Sequence, residues 1–162
     1  VAAFRKISEI HPDAKLMVVG PDESGMFEDG GIEKSFSGNL IRVGYTREPE
    51  AYFNAADVFC LPSHREGFGS VLIEAAACGV TSVASNIYGI SDAVVDGKTG
   101  LLHEPKSAAE IEEKMELIIS NPNLRQILAH AALKRAQEEF SSTAVENEFV
   151  EFYAKAFEFR VR

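Results

Sequence analysis

The chain has 162 residues, 46% hydrophobic and 25% charged, the size and makeup of one globular domain with a single core. No apolar run approaches the ~20 residues of a membrane-spanning helix, and the start lacks the basic-then-apolar pattern of a signal peptide. Sixteen Lys and Arg against 25 Asp and Glu leave a net charge of −9, which argues against nucleic acid as a partner because phosphate neutralisation needs a basic footprint.

In chain order, Phe4, Ile7 and Ile10 show helical spacing from the first residues. The sequence therefore opens inside a helix and reads as a piece of a longer protein. Five apolar or β-branched runs follow, at residues 15–20, 40–45, 58–62, 81–85 and 99–103. Leu16-Met17-Val18-Val19 and Val58-Phe59-Cys60-Leu61 are apolar without alternation, as strands covered on both faces must be. Helix-forming stretches lie between most of them, which predicts βαβ units: an α/β fold with a Rossmann-like, doubly wound parallel sheet flanked by helices. Residues 21–31, rich in Gly, Asp and Glu, read as a mobile surface loop. Beyond residue 105 the strands stop, and three helices are expected at about 107–120, 123–140 and 143–160, separated by Asn121-Pro122 and Ser141-Ser142.

The first 105 residues carry 8 basic and 15 acidic side chains, the last 57 carry 8 and 10. An anion bound by the strand-rich part must therefore be held largely by backbone amides. The place for it follows the third strand. Pro62-Ser63-His64-Arg65-Glu66-Gly67-Phe68-Gly69 forms a loop with two glycines, and Ser70 opens a short helix closed by Gly79. In open α/β sheets ligands sit beyond the carboxyl ends of strands. Free N–H groups at Gly69, Ser70, Val71 and Leu72, with the helix dipole behind them, would suit a phosphate. An ordinary strand-to-helix turn fits the local pattern as well.

Glu74 adds weight to the phosphate reading. It is the only charged residue between Ser70 and Val80, in a stretch apolar or small on all sides. That predicts a helix buried on most faces and a carboxylate that needs a partner. Arg47, Arg65 or solvent could supply it; so could ligand hydroxyls. With Glu66 at the loop mouth, two carboxylates flank the loop, a constellation suited to a sugar phosphate.

Glu66-Gly67-Phe68-Gly69 with Glu74 eight residues after Glu66 resembles the E-x7-E motif of retaining glycosyltransferases of the family 4 type. Ala76-Ala77-Cys78-Gly79-Val80, Val83-Ala84-Ser85, Asp96-Gly97-Lys98-Thr99-Gly100-Leu101-Leu102, Ala55-Ala56-Asp57-Val58 and Leu61-Pro62-Ser63 fit in order and spacing, covering about residues 1–140. The resemblance implies a single domain over 1–162, the C-terminal, donor-binding half of a GT-B enzyme. The N-terminal acceptor domain and the first part of this domain would lie outside the chain. Glu74 would accept from the nucleotide ribose, and Glu66 would contact the donor sugar and stabilise it as it reacts. Amides of Gly67, Phe68 and Gly69 would hold the sugar, those of Ser70, Val71 and Leu72 the diphosphate. Gly20 and Val43-Gly44-Tyr45 would receive the base.

The reaction implied is transfer of a sugar from a nucleotide-sugar donor, a UDP-sugar by first expectation, to a glycan or lipid-linked acceptor with retention. It would need no metal and no cofactor. The family's diphosphate-gripping Arg and Lys would precede Val1, so the chain alone should bind donor weakly and not catalyse. A cytoplasmic setting is implied, with peripheral membrane contact of the full-length enzyme at the inner face. Thr81 stands where the family has Pro, and Tyr88-Gly89 and Ser91-Asp92 where it has Gly-Gly and Pro-Glu. Two other classes compete: a non-catalytic nucleotide-binding α/β module, and a glycoside hydrolase using the paired carboxylates.

The remaining polar residues read as structural. His11, His103 and His130 are scattered, His64 and Arg65 face solvent or a neighbouring helix with ligand contact as the alternative, Cys60 and Cys78 are small buried hydrophobes without metal-ligand spacing, and Asp92 caps a helix, with contact to the sugar as its alternative. The last helix puts Val145, Phe149, Phe152, Tyr153, Ala156 and Phe157 on one broad face. Part of it is expected to be bare, with self-association as a consequence.

Overall fold

The computed structural model describes residues 1–22, 25, 27, 36 and 38–158. Most of the expected loop at 21–31 lies outside them. The elements run α1 (Ala2–Ile10), β1 (Leu16–Val19), β2 (Leu40–Val43), α2 (Pro49–Asn54), β3 (Phe59–Leu61), α3 (Ser70–Ala77), β4 (Ser82–Ser85), α4 (Ile90–Ala93), β5 (Gly100–His103), α5 (Ala108–Ser120), α6 (Pro122–Glu139) and α7 (Ser142–Glu158). All five expected strands are present, each trimmed by one or two residues, and every pairing is parallel.

The ladder comes in two pieces. β1 pairs with β2, Leu16 opposite Leu40 through Val19 opposite Val43, and β3, β4 and β5 pair in that order. Among the described residues no strand pairing joins β1 or β2 to the other three. In the three-stranded piece the apolar runs are explained by cover on both faces. Ala84 and Leu102 pack with Phe59 and Leu61 against Leu72, Ile90 and Val94, on the side of α3 and α4. Val83 and Leu101 turn the other way, onto Ile118 of α5 and Leu128 of α6. All four residues of β4 are buried.

The helices start where the sequence signals them. The Ser107 hydroxyl accepts from the Glu110 amide at 3.2 Å, and the Asn121 side chain accepts from Leu124 at 3.0 Å with Pro122 in the first turn. α6 lies close on α3 because the contact is built of Ala76, Ala132 and Ala136. α5 reaches both pieces of the sheet: Met115 packs with Val58 and Leu101 on one side, and with Phe4, Leu16 and Leu40 on the other. α7 leaves its aromatic face open, as expected from its sequence, with Phe149, Phe152, Tyr153 and Phe157 all more than half exposed.

Candidate functional site

β3 ends at Leu61, and residues 62–69 carry the chain from the sheet to α3. Gly69 is the cap residue of α3, with φ 70° and ψ 47°, a left-handed conformation that favours glycine. No side chain caps this helix, and among the described residues the amides of Ser70 and Val71 have no acceptor. Leu72 behaves differently. Its amide donates to the Gly69 carbonyl at 2.8 Å, and its side chain is buried.

A second backbone segment sets the loop from the side. Gly89 has φ 87°, and a Cβ there would lie 2.4 Å from the Gly67 carbonyl oxygen and 2.9 Å from that of Glu66. The turn after β4 thus touches the glycine loop backbone to backbone. Glu66 is half-buried, and the Ser63 hydroxyl donates to its Oε2 at 3.4 Å. Phe68 rests on Phe140 from the end of α6, ring centroids 5.6 Å apart.

Glu74 corrects one expectation. Leu72, Ala75 and Ala76 are buried, but Ser70, Glu74 and Ala77 occupy an open face, and the exposed Glu74 carboxylate has no ion pair or hydrogen bond among the described residues. The carboxylate therefore pairs with neither Arg47 nor Arg65. Alanine accounts for the misreading: it counts as apolar in the pattern yet is small enough to sit at the surface. Phe68, Ser70, Ile73, Glu74, Ala77, Phe140 and Val145 surround an open depression of ≈ 360 Å³.

The other expected positions sort simply. Gly20 donates its amide to the Val43 carbonyl at 2.9 Å, so the ends of β1 and β2 meet; Gly44 and Tyr45 follow, both exposed. None of these four lines the depression beside Glu74. His64, Arg65 and His130 are exposed. His103 is buried, 3.5 Å from the Ser85 hydroxyl and bonded to the Glu104 carbonyl, and His11 pairs with Glu116 at 2.7 Å. Asp92 lies inside α4, and its side chain makes no cap, contrary to expectation. Burial pushes the Cys60 thiol up to about 11, so it stays protonated at neutral pH. Among the described residues no group of three or more His, Cys, Asp or Glu could hold a metal ion, and no helix is long and apolar enough to cross a membrane.

Sequence reasoning missed Gly89, Arg135 and Phe140. Arg135 donates to the carbonyls of Asp92 and Ala93, each at 2.9 Å, and lies over the Phe140 ring. The substituted turn Tyr88-Gly89 was visible; its contact with Gly67 was not.

A parallel α/β sheet with an uncapped helix N-terminus behind a glycine loop, flanked by Glu66 and Glu74, is suited to an anion bearing hydroxyl groups. Comparison with known proteins gives the family. The family model described as glycosyl transferases group 1 matches residues 1–135. The chain is 32% identical over 155 residues to the capsular polysaccharide biosynthesis glycosyltransferase CapM of Staphylococcus aureus, covering 94% of this chain and 41% of that protein. It thus spans about two-fifths of that relative's length. The crystal structure of the C-terminal domain of the group 1 family protein LpcC of Francisella tularensis superimposes with a TM-score of 0.77 at 25% identity, covering 87% of this chain and 77% of that one. Anabaena HepE in complex with UDP, at 19% identity, shares the fold, with a TM-score of 0.83 over 95% of this chain and 44% of that one. The chain belongs to the glycosyl transferases group 1 family.

Proposed function

We propose that this chain is the C-terminal, donor-binding half of a retaining glycosyltransferase, and that residues 66–74 hold the nucleotide-sugar. The observation that carries the reading is the exposed start of α3, where the Ser70 and Val71 amides lack acceptors between two carboxylates. These donors and the helix dipole stabilise the diphosphate as it leaves with the bonding electron pair, without a metal. Gly67, Phe68 and Gly69 line the sugar, and the half-buried Glu66 carboxylate stabilises the positive charge that grows on it. Glu74, unpaired and open, accepts from the ribose hydroxyls. Gly20, Val43, Gly44 and Tyr45 receive the base.

The resemblance implies that a further strand, the family's Arg and Lys and the acceptor domain are supplied by sequence outside this chain, and the split between β1–β2 and β3–β4–β5 among the described residues leaves a place for the strand. The chain alone would then bind donor weakly and not catalyse. Capsular polysaccharide biosynthesis is in the name of the Staphylococcus relative, which favours a glycan or lipid-linked acceptor; the UDP-sugar donor and work at the cytoplasmic face of a membrane are carried over from the family resemblance.

The test separates the two carboxylates. UDP, GDP and ADP are titrated into the chain while amide spectra are recorded, and one of them should move signals centred on residues 67–74. Glu74→Gln should then weaken that nucleotide roughly two- to tenfold, the exchange of a charged hydrogen bond for a neutral one. Glu66→Gln should leave free nucleotide unaffected and abolish transfer by the full-length enzyme. Equal effects of both changes on nucleotide affinity would rule out the separate roles.

A further inference from the structure

Arg135 is a charged side chain held largely out of solvent, 20% exposed, far in sequence from the glycine loop. Its Nη1 donates to the Ala93 carbonyl and its Nη2 to the Asp92 carbonyl, each at 2.9 Å, so the fork satisfies the end of α4. Its Nε donates to Glu139 at 2.7 Å, and the guanidinium lies 5.1 Å from the centroid of Phe140. Phe140 meets Phe68 of the loop. α4 in turn begins at Gly89, whose backbone abuts Gly67.

These contacts form a closed circuit: Arg135 to Asp92 and Ala93, along α4 to Gly89, across to Gly67 and Phe68, and back through Phe140. We infer that Arg135 and Phe140 are positioning residues that fix the glycine loop and the turn after β4 relative to each other, and so set the spacing at which the loop meets the donor. This rests on the donor reading above. Arg135 does not line the depression beside Glu74 whereas Phe140 does, so Arg135 carries the test of positioning without ligand contact. A simple packing role would stabilise α6 against α4 without moving the loop; the circuit requires that it move.

Lysine at 135 keeps the charge but cannot bond two carbonyls as a fork, and leucine at 140 keeps an apolar side chain but loses the ring contact. On the full chain, Arg135→Lys and Phe140→Leu should each shift the ligand-free amide signals of Gly67, Phe68 and Gly69. Each should also weaken UDP, or whichever of GDP and ADP the unmodified chain prefers, roughly two- to thirty-fold. Ile7→Val, which trims the buried cluster around α1, serves as a matched loss of packing: the thermal midpoint falls while loop signals and affinity stay put. Loop signals unmoved in both variants, or affinity reduced no more than by Ile7→Val, would overturn the positioning role. If the unmodified chain binds none of the three nucleotides, titration of the full-length enzyme decides the donor reading, and the ligand-free shifts still decide whether the circuit couples the two loops.

Discussion

The two pieces of the sheet are both parallel and both apolar, yet they are built to different standards. β4 is buried at every position between β3 and β5, with helices on each side. β1 and β2 form a two-stranded ladder in which no residue is fully buried, and Ile41 and Arg42 are exposed. Two strands alone are marginal, and a third strand or a packed helix is what stabilises a sheet. The glycine loop springs from the well-built piece. The positions proposed for the base, Gly20 and Val43 to Tyr45, end the lightly built one. On the proposed reading, the phosphate and sugar would therefore be met by the well-buried piece and the base by the lightly buried one.

The widest way to break this comparison is to remove equal volumes from each piece. Leu128 is buried in the cluster with Val83, Leu101 and Ile118, and Leu128→Ala should cost about 2–5 kcal/mol. Leu16, half-buried in β1, should cost only about 1 kcal/mol on the same change. Denaturant unfolding of both variants measures the difference, and equal losses would mean that the two pieces are supported alike.

A smaller effect is expected at the seam between the loop and the turn after β4. Gly89→Ala places a methyl 2.4 Å from the Gly67 carbonyl oxygen at a φ of 87°, so backbone must shift. The cost should be about 1–3 kcal/mol, and nucleotide-induced shifts at residues 67–74 should shrink while those near Val43 persist. Loss of both sets together would show that the lightly buried piece depends on the well-buried one, against the division drawn above.

The strands were legible because burial on both faces leaves continuous apolar runs, and the helix starts because Ser107, Asn121 and Pro122 signal locally. The grouping of Glu66, the glycines and Glu74 was legible because it spans one loop and one short helix. The contacts that shape the loop were not. Gly67 meets Gly89 and Phe68 meets Phe140, pairs that only the folded chain brings together and that carry no periodic signal. The break in the sheet was equally hidden, since each run predicts a strand and none predicts its neighbour. The expected burial of α3 on most faces failed for a different reason: a helix of alanines does not reveal its exposed side.

The smallest expected effect concerns acid and the helix layer that α5 shares with the lightly built piece. Glu116 on α5 accepts from Ser120 and pairs with His11, which follows α1. Since an ionised carboxylate only accepts, Nε2 of His11 carries the proton. The Ser120 bond, then the His11 bond and charge, hold the Glu116 carboxyl below its ordinary value. A carboxylate whose folded pKa is depressed contributes stability above its unfolded pKa, about 4.3 for Glu. That contribution is lost as pH falls through the folded value. Acidification below about pH 4 should therefore loosen α1 first, read as faster amide exchange at Phe4 and Ile7 than at Val83 and Leu101. Other carboxylates titrate in the same range, so the control is Glu116→Gln, which removes the titrating group while keeping an acceptor for Ser120. In that variant α1 should already exchange slightly faster at neutral pH and lose less of its protection on acidification than the unmodified chain. An unchanged acid response at Phe4 and Ile7 would show that packing against Met115 and Ile119 alone holds α1 in place, and that the charge pair adds nothing to the weaker half.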